Sequence, residues 1–395
     1  MTGRRLLSTN LIYKLLEPKD GYEISVNGSL GTHRRQVQHG FDRIAILQLA
    51  LSIIGWGSLS FVLSEHLKTR SVKYLSAIIL MAFAFTPQIA DWDSILMSES
   101  LSFSLFALQL ALLINLVFLI DREQTPKIST YFAGWVITFF VWSFLRDTNL
   151  FAAIITTGMV AVLFFSTKFQ KNGYLYTAFF FTIGIFVLGL LTSSNSTRAL
   201  VQIKNIYRDD ILVYPTRVYI LKKLGMPEPG SADYDTWFQE NSSKTLVKFM
   251  IQHPGYPTFK IIKDFPSSFS EIKQTYFHAP EQYQVREILM QIGDALHPES
   301  TTPFLMDILL LFGLAILALR NKTSSSQIWI WLGFWLFLTA SFILIPTILG
   351  DSWALNRHAL LPTTIYRLFM WMFILVIMDI AIDQNSKQID PPAQG

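Results

Sequence analysis

The sequence predicts an all-α polytopic membrane protein of about nine transmembrane helices, with a mostly helical loop domain outside the membrane. Three observations predict it. Of 395 residues, 51% are hydrophobic and only 15% are charged, where about 25% charged is usual in a soluble domain. Mean hydropathy is +0.37. Apolar runs of the roughly 17–25 residues needed to cross a bilayer recur along the chain. The 32 Phe, 14 Tyr and 10 Trp suit lipid contact and interfacial belts. This composition excludes a disordered chain. The absence of cysteine excludes disulfides, thiolate zinc sites, Fe–S clusters and a Cys nucleophile.

The expected spans run over 43–64, 74–90, 100–120, 130–145, 149–166, 174–193, 303–320, 327–349 and 363–382. The fourth and fifth are short and separated only by Arg146-Asp147-Thr148-Asn149, which suits a tight hairpin. The chain divides into a basic N-terminal segment (1–42), six membrane helices (43–193), a loop domain (194–302), three further membrane helices (303–382) and a polar tail (383–395). Residues 1–42 contain no apolar run of the kind a signal peptide carries.

Lys and Arg in short loops set orientation. One set of loops carries Lys68, Arg70, Lys73, Arg122, Lys127, Lys168, Lys171, Arg320 and Lys322; the alternate set carries only Arg146 and Arg357. The basic set is therefore expected in the cytoplasm, with the tail, and the protein in the cytoplasmic (inner) membrane. An odd number of spans then leaves the N-terminus outside, although residues 1–43 hold seven basic residues against four acidic ones. Either a span is miscounted, or the chain lacks a first membrane helix; the second reading is preferred.

The 194–302 segment falls outside the membrane. Its 12 basic and 12 acidic residues balance, so it is not a nucleic-acid surface. Apolar residues at helical spacing in 244–252, punctuated by Pro254, Pro257, Pro266 and Pro280, predict several short helices.

Three stretches carry candidate chemistry, all at the same membrane face. Pro87-Gln-Ile-Ala-Asp91-Trp-Asp93-Ser-Ile-Leu-Met-Ser98-Glu99 gathers three carboxylates without a base, with Glu99 at the start of the third span. A charge at a span boundary is costly, which marks it as a functional candidate, and an acid there also complements the helix dipole. Asp91 and Asp93 could bind a divalent cation or take a proton; the plainer alternative is solvated loop charges with Ser98 as a cap. Arg146-Asp147 could hold a phosphate or be a turn with a local ion pair. Asp351-Ser-Trp-Ala-Leu-Asn-Arg357-His358 could grip an anionic leaving group or anchor Trp353 at the headgroups. Asp307 and Arg367 lie within spans, where either calls for a partner. Arg208-Asp209-Asp210 reads as a solvated face, and His253 as the end of a loop helix. No GxxxxGK[ST] loop and no HExxH motif occurs.

In order along the chain, these features resemble the membrane glycosyltransferases of the GT-C fold, in the bacterial branch related to protein mannosyltransferases and to enzymes that add sugars to lipid A. The resembling passages are Ile44-Ala-Ile-Leu-Gln48-Leu in an early span, the span ending at Pro87, Ser98-Glu99-Ser-Leu opening the third, Leu246-Val-Lys-Phe-Met-Ile-Gln-His253-Pro254-Gly-Tyr in the loop, and Asn356-Arg357-His358-Ala-Leu-Leu-Pro362 before the last span. They cover about residues 30–380. Two departures stand out. The Asp that serves as base in the family follows a first span missing here, where only Asp20 could stand in. His358 occupies a place where Tyr is common.

The resemblance implies inverting transfer of a sugar from a polyprenyl-phosphate donor to a lipid, glycan or protein outside the cytoplasmic membrane. It implies Asp91, Asp93 or Glu99 near the reacting centre, Arg146, Arg357 and His358 on the donor phosphate, and a divalent metal ion as an optional aid. The partners expected are the lipid-linked sugar, the bilayer and the acceptor, not nucleic acid. The alternative is a flippase or transporter of lipid-linked oligosaccharide, or a polysaccharide polymerase or ligase. Clustering of ionisable residues at one boundary favours the transferase.

Overall fold

The computed structural model describes residues 7–17, 42–122, 125–194, 198–275, 284–321 and 323–389. Most of the basic N-terminal segment, Asp20, Pro280, Lys322 and the end of the tail lie outside them. Every regular element among the described residues is a helix.

A short helix α1 (Leu7–Leu15) precedes the bundle. The first membrane group is α2 (Asp42–His66), α3 (Arg70–Phe85), one turn α4 (Pro87–Ala90), α5 (Ser98–Asp121), α6 (Thr125–Ser143), α7 (Phe151–Leu163) and α8 (Gly173–Ser194). The loop domain supplies α9 (Arg198–Ile206), α10 (Pro215–Lys223), α11 (Tyr234–Gln252), α12 (Gly255–Asp264) and α13 (Gln284–Leu296). The chain closes with α14 (Thr302–Asn321), α15 (Ser324–Gly350), one turn α16 (Leu355–His358) and α17 (Leu360–Ile389).

Among the described residues, six helices are long and apolar enough to cross a membrane: α2, α5, α8, α14, α15 and α17. A seventh span arises if α3 and the turns over Pro87–Ser94, bent by 46°, count as one. This is the architecture of a multi-pass helical membrane protein, with the expected count of nine spans not confirmed. All nine apolar segments are helical, but α7 has only 13 residues, about 20 Å of helix against about 30 Å of hydrocarbon. Nor is α6 among the helices long and apolar enough to cross. The expected hairpin is also replaced: α6 packs mainly on α5, and α7 on α8 and α15.

Lipid tails are as apolar as Leu, so close packing rather than hydrophobicity holds such helices together. Gly55 in α2 shows it. A Cβ there would strike the Ser104 carbonyl oxygen of α5, so glycine lets the two longest early helices touch backbone to backbone. At the basic end, the Asp379 carboxylate of α17 accepts the N–H groups of Lys68 (2.9 Å) and Thr69 (2.6 Å), tying the turn before α3 to the last helix. At the opposite end, α1 docks through Ser8 N–H to the Phe144 carbonyl and Thr9 Oγ1 to the Leu145 carbonyl. Helix α1 thus lies at the end of the bundle that holds the loop domain.

The loop domain has its own core around Ile206, Tyr207, Ile211, Leu221 and Phe249. Two of its helices are inside out by the standard of a soluble protein. On α13 the stripe Val285, Ile288, Leu289 and Ile292 is exposed, while Arg286 and Gly293 face the bundle. On α12, Lys260 is 3% exposed and Ile262 is 69% exposed.

Candidate functional site

The site forms where four pieces of chain meet at the loop-domain end. The first is the stretch before α5. Gln48, buried in α2, donates to the carbonyls of Ile95 (3.1 Å) and Met97 (3.2 Å) and so fixes the approach to Glu99. Trp92, also buried, donates from its indole to the Ile272 carbonyl of the loop domain at 3.1 Å.

The three carboxylates expected together point to different partners. Asp91 is gripped by Arg286 of α13, with Nη1 at 2.9 Å and Nη2 at 2.6 Å. Asp93 is buried and accepts the Ser100 hydroxyl at 2.6 Å. Glu99, 4% exposed in the first turn of α5, lies 3.8 Å from the Arg357 guanidinium Nε. Asp91 is thus held by the loop domain in a bidentate ion pair, and Glu99 faces Arg357 instead.

The second piece is Arg146, in the turn between α6 and α7. It is half-buried, its Nη2 donates to the His358 carbonyl at 3.4 Å, and its Nη1 is enclosed with no hydrogen-bond partner. Burial lowers its pKa; Glu99 works against that and Arg357 adds to it. Asp147 is exposed.

The third piece is the loop between α15 and α17. Asp351 is buried and folds this loop about itself: its Oδ1 accepts Ser352 N–H (2.8 Å), Trp353 N–H (3.0 Å) and Asn205 Nδ2 (3.2 Å). That turn holds Ala354 at φ +51°, a left-handed conformation uncommon outside glycine. The chain then presents Arg357 and His358 side by side, 3.3 Å apart, with His358 Nε2 3.7 Å from Asp351 Oδ2. Burial, then Arg146 and Arg357, pushes the His358 imidazole down to about 3, so it is neutral at physiological pH. Burial raises the Asp351 carboxyl, and its hydrogen bonds pull back.

The fourth piece is the loop domain. Lys260 of α12 donates to Asp264 (2.8 Å) and to the Ser352 hydroxyl (3.0 Å), and lies 4.0 Å from Asp210. Asp210 in turn accepts the Tyr256 hydroxyl (2.5 Å) and Arg217 (2.8 Å). A second brace joins Asn356 to Glu271 at 2.6 Å; Glu271 too has positive φ, at 52°.

Glu99, Arg146, Arg357 and His358 are thus brought together, as Asp91 is not. Asn205 and Lys260 are not singled out by the sequence. For Lys260 a signal existed: Tyr256, Lys260 and Asp264 recur every fourth residue, one face of α12. Asp210 is buried, not the solvated face expected, while Arg208 and Asp209 form an exposed pair. His253 ends α11, as expected. Arg367 is fully buried and donates to the carbonyls of Phe269 (2.7 Å) and Pro298 (3.0 Å). Both carboxylate oxygens of Asp307 are buried without a hydrogen-bond partner.

Among the described residues, no group of three or more His, Asp or Glu side chains is arranged to hold a metal ion. With Asp91 on Arg286 and Asp93 on Ser100, the early acids do not fit the divalent ion entertained from the sequence. No protein-family model, no curated protein and no solved structure matches the chain.

Proposed function

We propose that this chain is a GT-C-like glycosyltransferase of the cytoplasmic membrane, moving a sugar from a polyprenyl-phosphate donor to an acceptor on the far side. One observation carries the reading: Arg146 and Arg357, the two basic residues of the otherwise base-poor loops, converge beside the buried Glu99. Two guanidinium groups at a membrane face suit a lipid-borne phosphate.

In this reading Arg146 and Arg357 hold the donor phosphate, and the enclosed Nη1 of Arg146 supplies a free N–H toward it. The acceptor hydroxyl oxygen attacks the anomeric carbon. The bond from that carbon to the phosphate oxygen breaks, and its electron pair stays on the polyprenyl phosphate. Glu99 takes the hydroxyl proton. The arginines stabilise the charge growing on the leaving oxygen. Neutral His358 offers a hydrogen bond without adding charge.

The test is transfer from labelled polyprenyl-phosphate sugar by purified protein in lipid. Glu99→Gln is expected to lose on the order of 10²–10⁴ in rate, the range for a general base. Arg357→Ala and Arg146→Ala are each expected to lose on the order of 10²–10³. Unchanged transfer in Glu99→Gln and Arg357→Ala would remove the proposed site.

A further inference from the structure

A cavity at the basic end of the bundle, far from Glu99, encloses about 240 Å³ among α5, α6, α7, α8 and α15. Its origin is the shortness of α7. That helix stops at Leu163, while α5 and α15, with 24 and 27 residues, run on past it. The deep wall is apolar, built from Leu113, Leu116, Val160, Ala178 and Ile328. An apolar cavity of about 150 Å³ already takes up small apolar molecules, and the deep wall here has the same kind of lining.

Two features give the cavity direction. Asp121, Ser324 and Gln327 lie at its mouth, and Lys168 reaches the Asp121 carboxylate there at 2.6 Å. Leu113 lies eight residues deeper than Asp121 along α5, about 12 Å. The wall also contains Trp135, which is 1% exposed and whose indole N–H is buried with no hydrogen-bond partner. Trp135 shares that wall with Ala178, five residues into α8 from Gly173, or about 7.5 Å. Thr156, the other polar group in the deep wall, already donates to Ala152 and accepts from Trp335.

We infer that this cavity binds one acyl chain of a bilayer lipid. The chain enters from the basic end, its ester carbonyl accepts the Trp135 N–H, its tail lies along Leu113 and Val160, and its headgroup sits among Asp121, Lys168 and Ser324. A donor with no partner costs free energy in an apolar wall, and an ester carbonyl at that depth would satisfy it. The inference rests on the bundle alone and stands apart from the reading as a transferase.

Native mass spectrometry of the full chain tests it, with dioleoylphosphatidylethanolamine as probe and undecaprenyl phosphate, which has no ester, as the comparison. The wild type is expected to retain one phosphatidylethanolamine through detergent exchange. Ala178→Phe and Val160→Phe, which fill the cavity, should lower retention at least tenfold while keeping the elution volume of the folded protein. Trp135→Phe, which keeps the ring and removes the N–H, should lower it several-fold. Failure of the wild type to retain the probe, or equal retention by folded filled variants, overturns the inference. Equal loss of undecaprenyl phosphate in Trp135→Phe overturns the role given to the ester.

Discussion

Arg286 holds Asp91 through two parallel hydrogen bonds, clipping α13 of the loop domain onto the turn that leads to α5. Gln88, one turn earlier, donates to Asp294 (2.8 Å) and the Met290 carbonyl (3.0 Å) of the same helix. Asp91→Ala should therefore loosen α13 and expose it to limited proteolysis, while sugar transfer falls by less than about tenfold. Glu99→Gln should do the reverse, leaving α13 protected and losing on the order of 10²–10⁴ in transfer. Equal losses of transfer in the two variants would return Asp91 to the reacting centre.

Lys260 joins the loop domain to the turn that carries Arg357. It is 3% exposed and pairs with Asp264 while reaching Ser352. Removing one partner of a buried pair strands the other charge and costs about 3–5 kcal/mol. Lys260→Met is expected near the low end, because Asp264 retains some exposure. A thermal midpoint within a degree of the wild type would contradict this.

Gly55 and Gly57 lie two residues apart on α2, with opposite surroundings. A Cβ at 55 meets the Ser104 carbonyl, and one at 57 meets nothing within 4 Å. Gly55→Val should force α2 from α5 at a cost of about 1–3 kcal/mol or more. Gly57→Val should be close to neutral. Thermal denaturation of the two variants in one detergent makes the comparison.

Acid should destabilise the fold through two histidines. Burial first, then Arg367 beside His297 and Arg146 and Arg357 beside His358, moves each imidazole from 6.5 to about 3. Between those values the unfolded chain binds protons that the folded one refuses. The stabilisation is whole above about pH 6.5 and is lost as pH falls toward 3, at about 1.4 kcal/mol per pH unit for each group. His297 is 1% exposed, with Nε2 hydrogen-bonded to the Phe83 carbonyl at 2.9 Å. The midpoint should drop between pH 7 and pH 5, and His297→Gln should flatten the slope. A flat profile in the wild type would contradict the assignment.

The inverted faces of α12 and α13 also predict a labelling pattern, made simple by the lack of cysteine. Nitroxides on Ile262→Cys and Ile288→Cys should relax with oxygen and be shielded from a water-soluble nickel chelate. One on Lys244→Cys, at an exposed position of α11, should show the opposite. Chelate access at all three sites would turn those faces toward water.

The linear chain alone determined the class of the protein: helices rather than strands, a basic end and a base-poor end, and a loop domain between two membrane groups. These follow from quantities that sum along neighbouring residues, such as the transfer of side chains to lipid and the spacing of apolar positions. The same sums marked α6 and α7 as spans, yet neither is among the six helices that are both long and apolar enough to cross. Composition singled out Glu99, Arg146, Arg357 and His358 as types of residue, and it weighed Asp91 equally with them. Only the tertiary structure decided that Asp91 belongs to Arg286, 195 residues away, and that Arg146 meets His358, 212 residues away. Which charge neutralises which depends on distances of a few ångströms between distant segments, because electrostatic and hydrogen-bond energies fall off with separation in space, whatever the separation along the chain.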